Sequence, residues 1–323
     1  MSRPADRSGS DLAPEWAELR IALTTLPRTL PPRWLYDDRG SDLFTEITAL
    51  EEYYPTETER RILRQHGGRI ADRSAAVTMV ELGSGTSDKT RTLLDAFEAH
   101  GTLRRFVPVD VSEQTLLDAA DLIAGRHPTL TVEPVVGDFT RDLHRLADLA
   151  DDGPRLVVFL GGTIGNFYRP ERAEFLRSLA SVSRPGDRVL VGIDTVKQIE
   201  RLLAAYDDPH GVTEAFIRNA LVHVAAVTDG DLDADDFDYV PFWDGRAERI
   251  DMRLRARRTV EARLRALDLD LVVAAGEEIR VEISTKFRPD ALVAELADVG
   301  FDGETDVFTD DAGDFAVVLA TRT

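Results

Sequence analysis

Apolar residues from position 77 onward follow two alternating patterns. Short continuous apolar runs predict strands, and stretches with an apolar residue at every third or fourth position predict helices between them. The predicted strands are residues 77–82, 105–109, 131–136, 156–160 and 188–193. The predicted helices that separate them are residues 87–97, 113–124 and 169–181. Helices that alternate with continuously apolar strands are typical of a parallel sheet covered on both faces, so the pattern predicts an α/β domain.

The pattern changes after Asp194. The elements predicted for the next segment are two helices, 197–206 and 212–224, and two strands with alternating polar and apolar residues, 250–259 and 279–287. Such alternation indicates an antiparallel sheet and therefore a second, inserted α+β lobe. A last helix, 289–299, and a last strand, 314–320, return to the first domain.

The N-terminal segment, residues 12–55, is predicted to be irregular because prolines punctuate it at positions 27, 31, 32 and 55. A helix is predicted over 56–70, with Thr56 as its N-cap and with Glu57, Glu59, Arg60 and Arg61 on exposed positions. The predicted domains are therefore 60–195 with 287–323, which form the sheet domain, and 1–59 with 196–286, which form the second lobe.

Charge and composition narrow the possible partners. The 323 residues contain 39 Lys and Arg against 59 Asp and Glu, a net charge of -20 that repels phosphate backbones and anionic lipids. The N-terminus lacks the apolar core of a secretion signal, and no apolar run is long enough to span a membrane. We therefore expect a cytoplasmic monomer with a small-molecule substrate and without nucleic-acid or membrane partners.

Metal chemistry is also limited. The chain has no cysteine, which excludes a thiol nucleophile, an iron–sulfur cluster and a thiolate zinc site. An acid-rich run at residues 229–236 is similar to the start of a calcium loop, but Ala234 replaces the required glycine and Val240 the closing glutamate. A solvated loop and no metal site are expected.

A glycine-rich turn, GSG at residues 83–85, follows the first predicted strand where the next helix begins. Backbone N–H groups and the helix dipole can bind a ligand at such a turn. The dinucleotide fingerprint requires a small residue where this chain has Asp88, and a P-loop requires its lysine directly after a glycine, which Lys89 is not. The turn therefore disfavours NAD and excludes a P-loop.

Acidic residues end three consecutive predicted strands: Glu81, Asp110 and Asp138. Because the carboxyl ends of parallel strands meet at one edge of a sheet, the three are expected to line one crevice. One carboxylate can accept the ribose hydroxyls, another can accept the adenine amino group, and Phe139 can pack on the adenine ring. Each acid alone is more often a surface residue, but together they suit an adenosine ligand with a cationic tail, S-adenosylmethionine.

At this point the chain resembles a known family, the L-histidine Nα-methyltransferases of the ergothioneine pathway. The resemblance extends from LPPRW at residues 30–34 to GDF at 313–315. The motifs that carry it are YD at 36–37, GSDLF at 40–44, EYYPT at 52–56, ELGSGTS at 81–87, FLGGTIGN at 159–166, AYDD at 205–208 and KFRP at 286–289. One departure is Gly162, where the family pattern leads us to expect serine.

The resemblance implies a Rossmann-like class I methyltransferase domain with an inserted substrate lobe. It implies three methylations of the histidine α-amino nitrogen, which yield hercynine and release S-adenosylhomocysteine. The residues that it assigns to the cofactor are Gly83, Lys89, Asp110, Asp138 and Phe139. Those that it assigns to the amino acid are Tyr36, Phe44, Tyr53, Gly161, Asn166, Tyr206, Met252, Glu282 and Ser284, with Tyr53 and Asn166 as the candidate catalytic residues.

Within this assignment, Asn166 and Tyr206 offer neutral donors to the substrate carboxylate. Glu282 and Ser284 stand two residues apart on a predicted strand, which places them on one face. Glu282 can accept an imidazole N–H and Ser284 can bind the second ring nitrogen, which would select histidine over apolar side chains.

Alternatives remain at this stage. Glu282 and Ser284 could lie on a solvent-exposed sheet face, and Met252 could be core filler. Tyr53 and Tyr54 could be plain packing aromatics, and because adjacent residues of an extended segment cannot both face one pocket, Tyr53 is chosen. The acceptor could be another amino acid such as tryptophan, although an apolar ring gains nothing from a buried carboxylate. A non-catalytic ligand-binding relative is the third possibility.

Overall fold

The structure is a computed structural model that describes residues 12–148 and 153–323. It divides into two compact units. Unit 1 contains the described residues up to Tyr53 together with Gln198–Ser284, and unit 2 contains Tyr54–Lys197 and Thr285–Thr323. Three short pieces that the predicted boundaries gave to the second lobe, residues 54–59, 196–197 and 285–286, therefore belong to unit 2.

The described helices, in chain order, are α1 (Pro14–Thr24), α2 (Asp38–Thr48), α3 (Tyr54–Ser74), α4 (Asp88–His100), α5 (Glu113–Arg126), α6 (Arg169–Val182), α7 (Ile199–Ala204), α8 (Val212–Val227) and α9 (Pro289–Asp298). The described strands are β1 (Arg28–Thr29), β2 (Thr78–Leu82), β3 (Arg105–Asp110), β4 (Thr131–Val132), β5 (Val135–Val136), β6 (Arg155–Phe159), β7 (Arg188–Asp194), β8 (Phe237–Asp244), β9 (Arg249–Ala256), β10 (Val260–Leu264), β11 (Leu269–Val273), β12 (Glu278–Thr285), β13 (Thr305–Thr309) and β14 (Phe315–Thr321).

Unit 2 is built on one sheet with the strand order β13-β14-β7-β6-β2-β3-β4, in which β5 also pairs with β3. β14 runs antiparallel to β7 and β13, and the other pairs are parallel. Alternate residues of β2 belong to different apolar clusters, with Val80 and Leu82 in one and Met79 in the other. The predicted parallel sheet, covered on both faces, is confirmed. Its strands β2, β3, β5 and β6 end along one edge.

Unit 1 contains a sheet with the order β1-β12-β9-β8 and a separate hairpin, β10-β11. β8 is an edge strand, antiparallel to β9, and Pro241 in it lies opposite Met252. Asp251 of β9 is fully buried, and its carboxylate binds three arginines, Arg249, Arg253 and Arg280. These ion pairs neutralise a charge that burial would otherwise make costly.

The prediction of an irregular N-terminal segment was wrong, because α1 and α2 each span 11 residues. The prolines at positions 27, 31, 32 and 55 lie outside both helices. Pro14 occupies the first turn of α1, where its missing N–H has no helical partner in any case. Asp37 begins α2 by accepting the N–H of Gly40 at 2.8 Å.

Other element predictions also need correction. α3 begins at Tyr54, so Thr56 lies within its first turn and is not the N-cap. The single strand predicted over 131–136 is two short strands interrupted at Pro134, which lacks an N–H for the ladder. Strands β1, β8, β10, β11 and β13 were not predicted. β8 shows why, because Phe237 is its one buried residue and it follows the acid-rich run.

Candidate active site

The glycine turn and Asp110 lie together at the carboxyl edge of the unit 2 sheet. Gly83 and Gly85 adopt left-handed backbone conformations with φ of 65° and 50°, which glycine adopts without strain. The N–H of Gly85 donates to Oδ2 of Asp110 at 2.8 Å, and that of Ser112 donates to Oδ1 at 2.9 Å. Asp110 therefore holds the turn after β2 to the end of β3.

Asp138 and Phe139 follow β5 at the same edge. The N–H of Gly137 donates to the backbone oxygen of Asp110 at 2.9 Å, which joins the two segments. A Cβ at Gly83 would lie 3.2 Å from the Phe139 ring, so the absence of a side chain there lets the ring approach the turn. Phe139 also meets the Phe159 ring edge to face, with ring centroids 5.2 Å apart. The structure thus brings four of the five predicted cofactor residues to one edge.

Lys89, the fifth, forms an ion pair that the sequence pattern does not predict. Its Nζ lies 2.5 Å from Oε2 of Glu59. Both oxygens of Glu59 also accept the N–H of Gly161, at 3.0 and 2.9 Å. Glu59 was predicted to be exposed, but its relative exposure is 0% because α3 packs against α4 and the sheet. A buried carboxylate therefore links a predicted cofactor residue to a predicted substrate residue.

Glu81 was predicted to line the crevice with Asp110 and Asp138, and the structure contradicts this. Its buried carboxyl accepts hydrogen bonds from the hydroxyls of Ser87, at 3.0 Å, and Thr90, at the start of α4. Burial raises the pKa of Glu81 to about 7, although these hydroxyls and Lys89 act in the opposite direction. Glu81 joins β2 to α4 beneath the turn.

Replacing Glu81 with glutamine is expected to flatten the pH dependence of stability. The folded carboxyl holds its proton up to about pH 7, against an ordinary value of 4.5, so unfolding becomes easier as the pH rises between those values. This shift corresponds to about 3 kcal/mol of unfolding free energy, and the amide does not titrate. Chemical denaturation at about pH 5 and about pH 8 measures the difference.

The matched control for this prediction is Glu174→Gln, which changes an exposed carboxylate on α6. It is expected to keep the wild-type pH dependence. If Glu81→Gln kept it too, Glu81 would not be the group that titrates.

Asn166 lies in a 3₁₀ turn, Thr163–Asn166, that follows β6. The turn packs closely against backbone, since a Cβ at Gly165 would lie 2.8 Å from the backbone oxygen of Thr285. Gly162 precedes the turn with φ of 69°, a conformation in which the serine expected from the family pattern would be strained. The half-buried Asn166 is thus held by a turn that requires glycine at two positions.

In unit 1, five of the predicted substrate residues form a continuous series of contacts. The aromatic rings of Tyr36, Phe44, Tyr53 and Tyr206 meet edge to face, with successive centroid distances of 5.8, 6.4 and 6.0 Å. The hydroxyl of Tyr206 then lies 2.8 Å from Oγ of Ser284. The aromatic side chains therefore lead from the exposed Tyr36 to the buried β12.

β12 does not have the solvent-exposed face that was one interpretation of Glu282 and Ser284. Both residues are 7% exposed, because β12 is an inner strand whose residues 281–284 are all buried. Met252, on the neighbouring strand β9, is 2% exposed. A buried carboxylate and a buried hydroxyl therefore stand two positions apart on β12.

Tyr239 of the unpredicted strand β8 supports this region and was also missed. Its hydroxyl donates to the backbone oxygen of Tyr206 at 2.7 Å. Burial raises the pKa of Tyr239 well above its ordinary value, and the negative charges of Asp207 and Glu282 add to the effect. Tyr239 is therefore a fixed hydrogen-bond donor and stays protonated at neutral pH.

Among the described residues, one group brings a histidine and carboxylates close enough to hold a cation: Asp95, Glu98 and His127. Arg126 already binds both oxygens of Asp95, at 3.0 and 2.7 Å. In the acid-rich run at residues 229–236, Asp236 pairs with Arg258 at 2.7 Å. In both places a guanidinium already neutralises a carboxylate.

The strand order with an antiparallel β14, the glycine turn and the acid that ends β3 define a class I S-adenosylmethionine-dependent methyltransferase. The chain belongs to the family of histidine-specific, SAM-dependent methyltransferases, whose model matches residues 16–322.

The names of similar proteins agree with this family. Histidine N-alpha-methyltransferase of Mycolicibacterium smegmatis is 49% identical over 305 residues, 94% of each chain. The protein of the same name from Mycobacterium tuberculosis is 47% identical over 93% of this chain and 92% of its own. Ergothioneine biosynthesis protein 1 of Schizosaccharomyces pombe is 36% identical over 72% of this chain and 31% of its own.

Among solved structures, an O-methyltransferase family protein from Burkholderia thailandensis matches 96% of this chain and 68% of its own, with 13% identity and a TM-score of 0.47. In residues 12–148 and 153–323, each helix is too short or too polar to cross a bilayer.

Proposed function

We propose that this protein transfers methyl groups from S-adenosylmethionine to the α-amino nitrogen of L-histidine, three times, and so makes hercynine in the first step of ergothioneine biosynthesis. The observation that carries the proposal is the buried pair of Glu282 and Ser284 on β12, joined through Tyr206 to Tyr53. The names of the mycobacterial and fungal relatives support the same acceptor and pathway.

In this proposal the edge of the unit 2 sheet holds the cofactor. Asp110 accepts the ribose hydroxyls with the lone pairs that its two backbone N–H bonds leave free, and Asp138 accepts the adenine amino group. Phe139 packs on the adenine, and Gly83, which has no side chain, leaves room for the Phe139 ring beside the turn. Lys89, oriented by Glu59, offers a cation to the carboxylate of the methionine tail. The cofactor supplies the methyl group, on a sulfonium that a site rich in carboxylates favours.

The proposed substrate residues divide by the end of histidine that they bind. Asn166 and Tyr206 are assigned to the carboxylate, and Gly161 and Met252 to packing around the amino acid. Glu282 accepts the imidazole N–H, and Ser284 binds the other ring nitrogen as donor or acceptor. Because both side chains are buried, their hydrogen bonds to the ring would form away from water, and an acceptor without ring hydrogen-bonding groups would not gain them, which favours histidine.

The chemistry is an in-line displacement, so the main task of the protein is to hold a neutral amine at the correct angle and distance. Tyr53 and Asn166 are the residues proposed to orient the amine. Tyr239 is not the base, because its raised pKa keeps it protonated and its hydroxyl is bound to the Tyr206 backbone. An attack of this kind by an amine on a sulfonium needs no metal ion.

The proposal is tested by incubating the purified chain with S-adenosylmethionine and each common amino acid, with mass detection of the products. Histidine carrying one, two and three methyl groups is expected, with hercynine as the end product. Methylated tryptophan without methylated histidine would contradict the assignment of the acceptor, and no product with any amino acid would favour a non-catalytic relative.

We also propose that the chain acts as a monomer in the cytoplasm and without nucleic-acid partners. Its net charge of -20 supports the monomer and the absence of nucleic-acid partners, because it opposes association with polyanions and between copies. Light scattering of the purified chain tests the monomer, and a dimer mass would contradict it.

Replacing Asn166 with alanine is expected to raise the histidine KM about tenfold, because one hydrogen bond to a carboxylate is lost. The affinity for S-adenosylhomocysteine should change little. Asn166→Asp keeps the side-chain volume but repels the substrate carboxylate, so its KM should rise further. Steady-state kinetics and calorimetry give the two constants. Equal losses for both ligands would mean that the turn Thr163–Asn166 has a structural role instead.

A further inference from the structure

Three peptide connections join the two units, after Tyr53, after Lys197 and after Ser284. In unit 2 each connection is bordered by a residue that binds the same carboxylate, that of Asp194. Tyr54 directly follows the first connection, and Lys197 directly precedes the second. Lys286 lies two residues beyond the third. The Asp194 side chain therefore binds a residue at or near the unit 2 end of each of the three connections.

The contacts around Asp194 are close and buried. The hydroxyl of Tyr54 donates to Oδ1 at 2.8 Å and to Oδ2 at 2.9 Å. Nζ of Lys286 lies 2.8 Å from Oδ2, and Nζ of Lys197 donates to Oδ1. The backbone adds a further bond, from the N–H of Phe287 to the oxygen of Asp194 at 2.8 Å.

The Asp194 carboxylate compensates the charges of two buried ammonium groups, those of Lys286 and Lys197. The Lys286 side chain is 0% exposed, and a lysine is buried in this way only when an anion compensates the loss of water. Burial would raise the pKa of Asp194, but Lys286 and Lys197 hold it below its ordinary value. Asp194 is therefore ionised and binds both ammonium groups.

On the unit 1 side, two of the three connections, the first and the third, begin at residues of the proposed histidine site. Tyr53 directly precedes Tyr54, and Ser284 lies two residues before Lys286. We propose that Asp194 is a positioning residue for histidine binding: by holding Tyr54 and Lys286, it fixes the backbone from which Tyr53 and Ser284 project. This inference rests on the proposed assignment of those two side chains to the substrate.

An ordinary structural ion pair is the alternative, and the chain offers a matched control for it. Arg155 binds Asp187 at 2.7 Å, with side-chain exposures of 3% and 4%. Asp187 precedes the first residue of β7, whereas Asp194 is the last residue of that strand. Neither Arg155 nor Asp187 borders a connection between the units, so their loss should affect stability alone.

The experiment compares Tyr54→Phe, Lys286→Met and Asp187→Asn by histidine KM, kcat, S-adenosylhomocysteine affinity and melting temperature. Lys286→Met is expected to raise the histidine KM about tenfold because it removes an ammonium group from the carboxylate. Tyr54→Phe is expected to raise it about threefold because it removes one hydroxyl and leaves both ammonium groups in place. Cofactor affinity should stay within about twofold in both, because no group assigned to the cofactor is changed. Asp187→Asn should lower the melting temperature without raising the histidine KM.

An unchanged histidine KM in Tyr54→Phe and Lys286→Met would overturn the positioning role, as would an equal rise in Asp187→Asn. Should Lys286→Met not fold, Tyr54→Phe decides alone, since it removes one hydroxyl and leaves both ammonium groups paired. Ser284→Ala separates this inference from the proposed site. If it raises the KM while the other variants do not, only the positioning role fails. If it leaves the KM unchanged, the proposed site fails.

Discussion

Replacing Asp110 with alanine is expected to weaken S-adenosylhomocysteine binding at least about a hundredfold. Two charge-assisted hydrogen bonds to the ribose are lost, each worth about 1.5 to 3 kcal/mol. The same carboxylate holds the N–H groups of Gly85 and Ser112, so the alanine variant also releases the glycine turn from the end of β3. Isothermal titration calorimetry gives the dissociation constant.

Asp138→Ala is the matched comparison for this prediction. The Asp138 carboxylate accepts the N–H and hydroxyl of Thr140, at 2.9 and 2.6 Å. These bonds lie within its own loop, whereas Asp110 binds the glycine turn. Asp138→Ala should therefore lower the affinity for S-adenosylhomocysteine about tenfold, because one hydrogen bond to the adenine is lost. Thermal melting confirms that both variants fold. A wild-type affinity in Asp110→Ala would remove this residue from the cofactor site.

Glu282→Ala is expected to reduce histidine binding roughly ten- to a hundredfold, about 1 to 3 kcal/mol, because it leaves a buried imidazole N–H unpaired. The change also enlarges and neutralises the pocket, so tryptophan should gain relative to histidine. The ratio of kcat/KM for histidine and tryptophan, in wild type and variant, measures this selectivity.

Glu282→Gln keeps the volume and one acceptor oxygen, and should retain most of the selectivity for histidine. This control separates loss of the acceptor from loss of packing. If the ratio of kcat/KM did not change in Glu282→Ala, residues other than Glu282 would select the acceptor, and the identity of the acceptor would rest on the family alone.

Much of unit 2 was predictable because its information is local. The strands that contain Met79 and Val158 are short runs in which apolar residues predominate, and the turn at Gly83 lies where a strand passes into a helix. Acids that end neighbouring parallel strands must lie at one edge, so the proximity of Asp110 and Asp138 followed from strand order. The substrate residues were different: they came from the family resemblance, because ring contacts such as that of Tyr53 with Tyr206 join positions far apart in the chain.

The features that were not predictable depend on which partner an element meets. Glu59 lies on a helix rich in charged residues, and only the packing of α3 shows that this carboxylate is buried rather than exposed. Glu81 lies near the end of β2, as Asp110 lies at the end of β3, but its carboxyl is buried beneath the turn, where it binds the hydroxyls of Ser87 and Thr90. Tyr239 could not be assigned because β8 follows the acid-rich run, contains Pro241 and lacks a regular alternation of polar and apolar residues, although it pairs with β9 along its length.

Pro241 gives the edge strand β8 a further property. Proline has no N–H, and within a sheet it is accepted on an edge strand where its nitrogen points away from the neighbouring strand. In the described part of the chain β9 is the strand paired with β8, and Pro241 leaves a gap in the row of donors along the other side. A strand from another molecule would meet that gap, with Asp238 and Asp244 nearby. The sheet is therefore poorly suited to templating aggregation, even though Phe242 on the same strand is exposed.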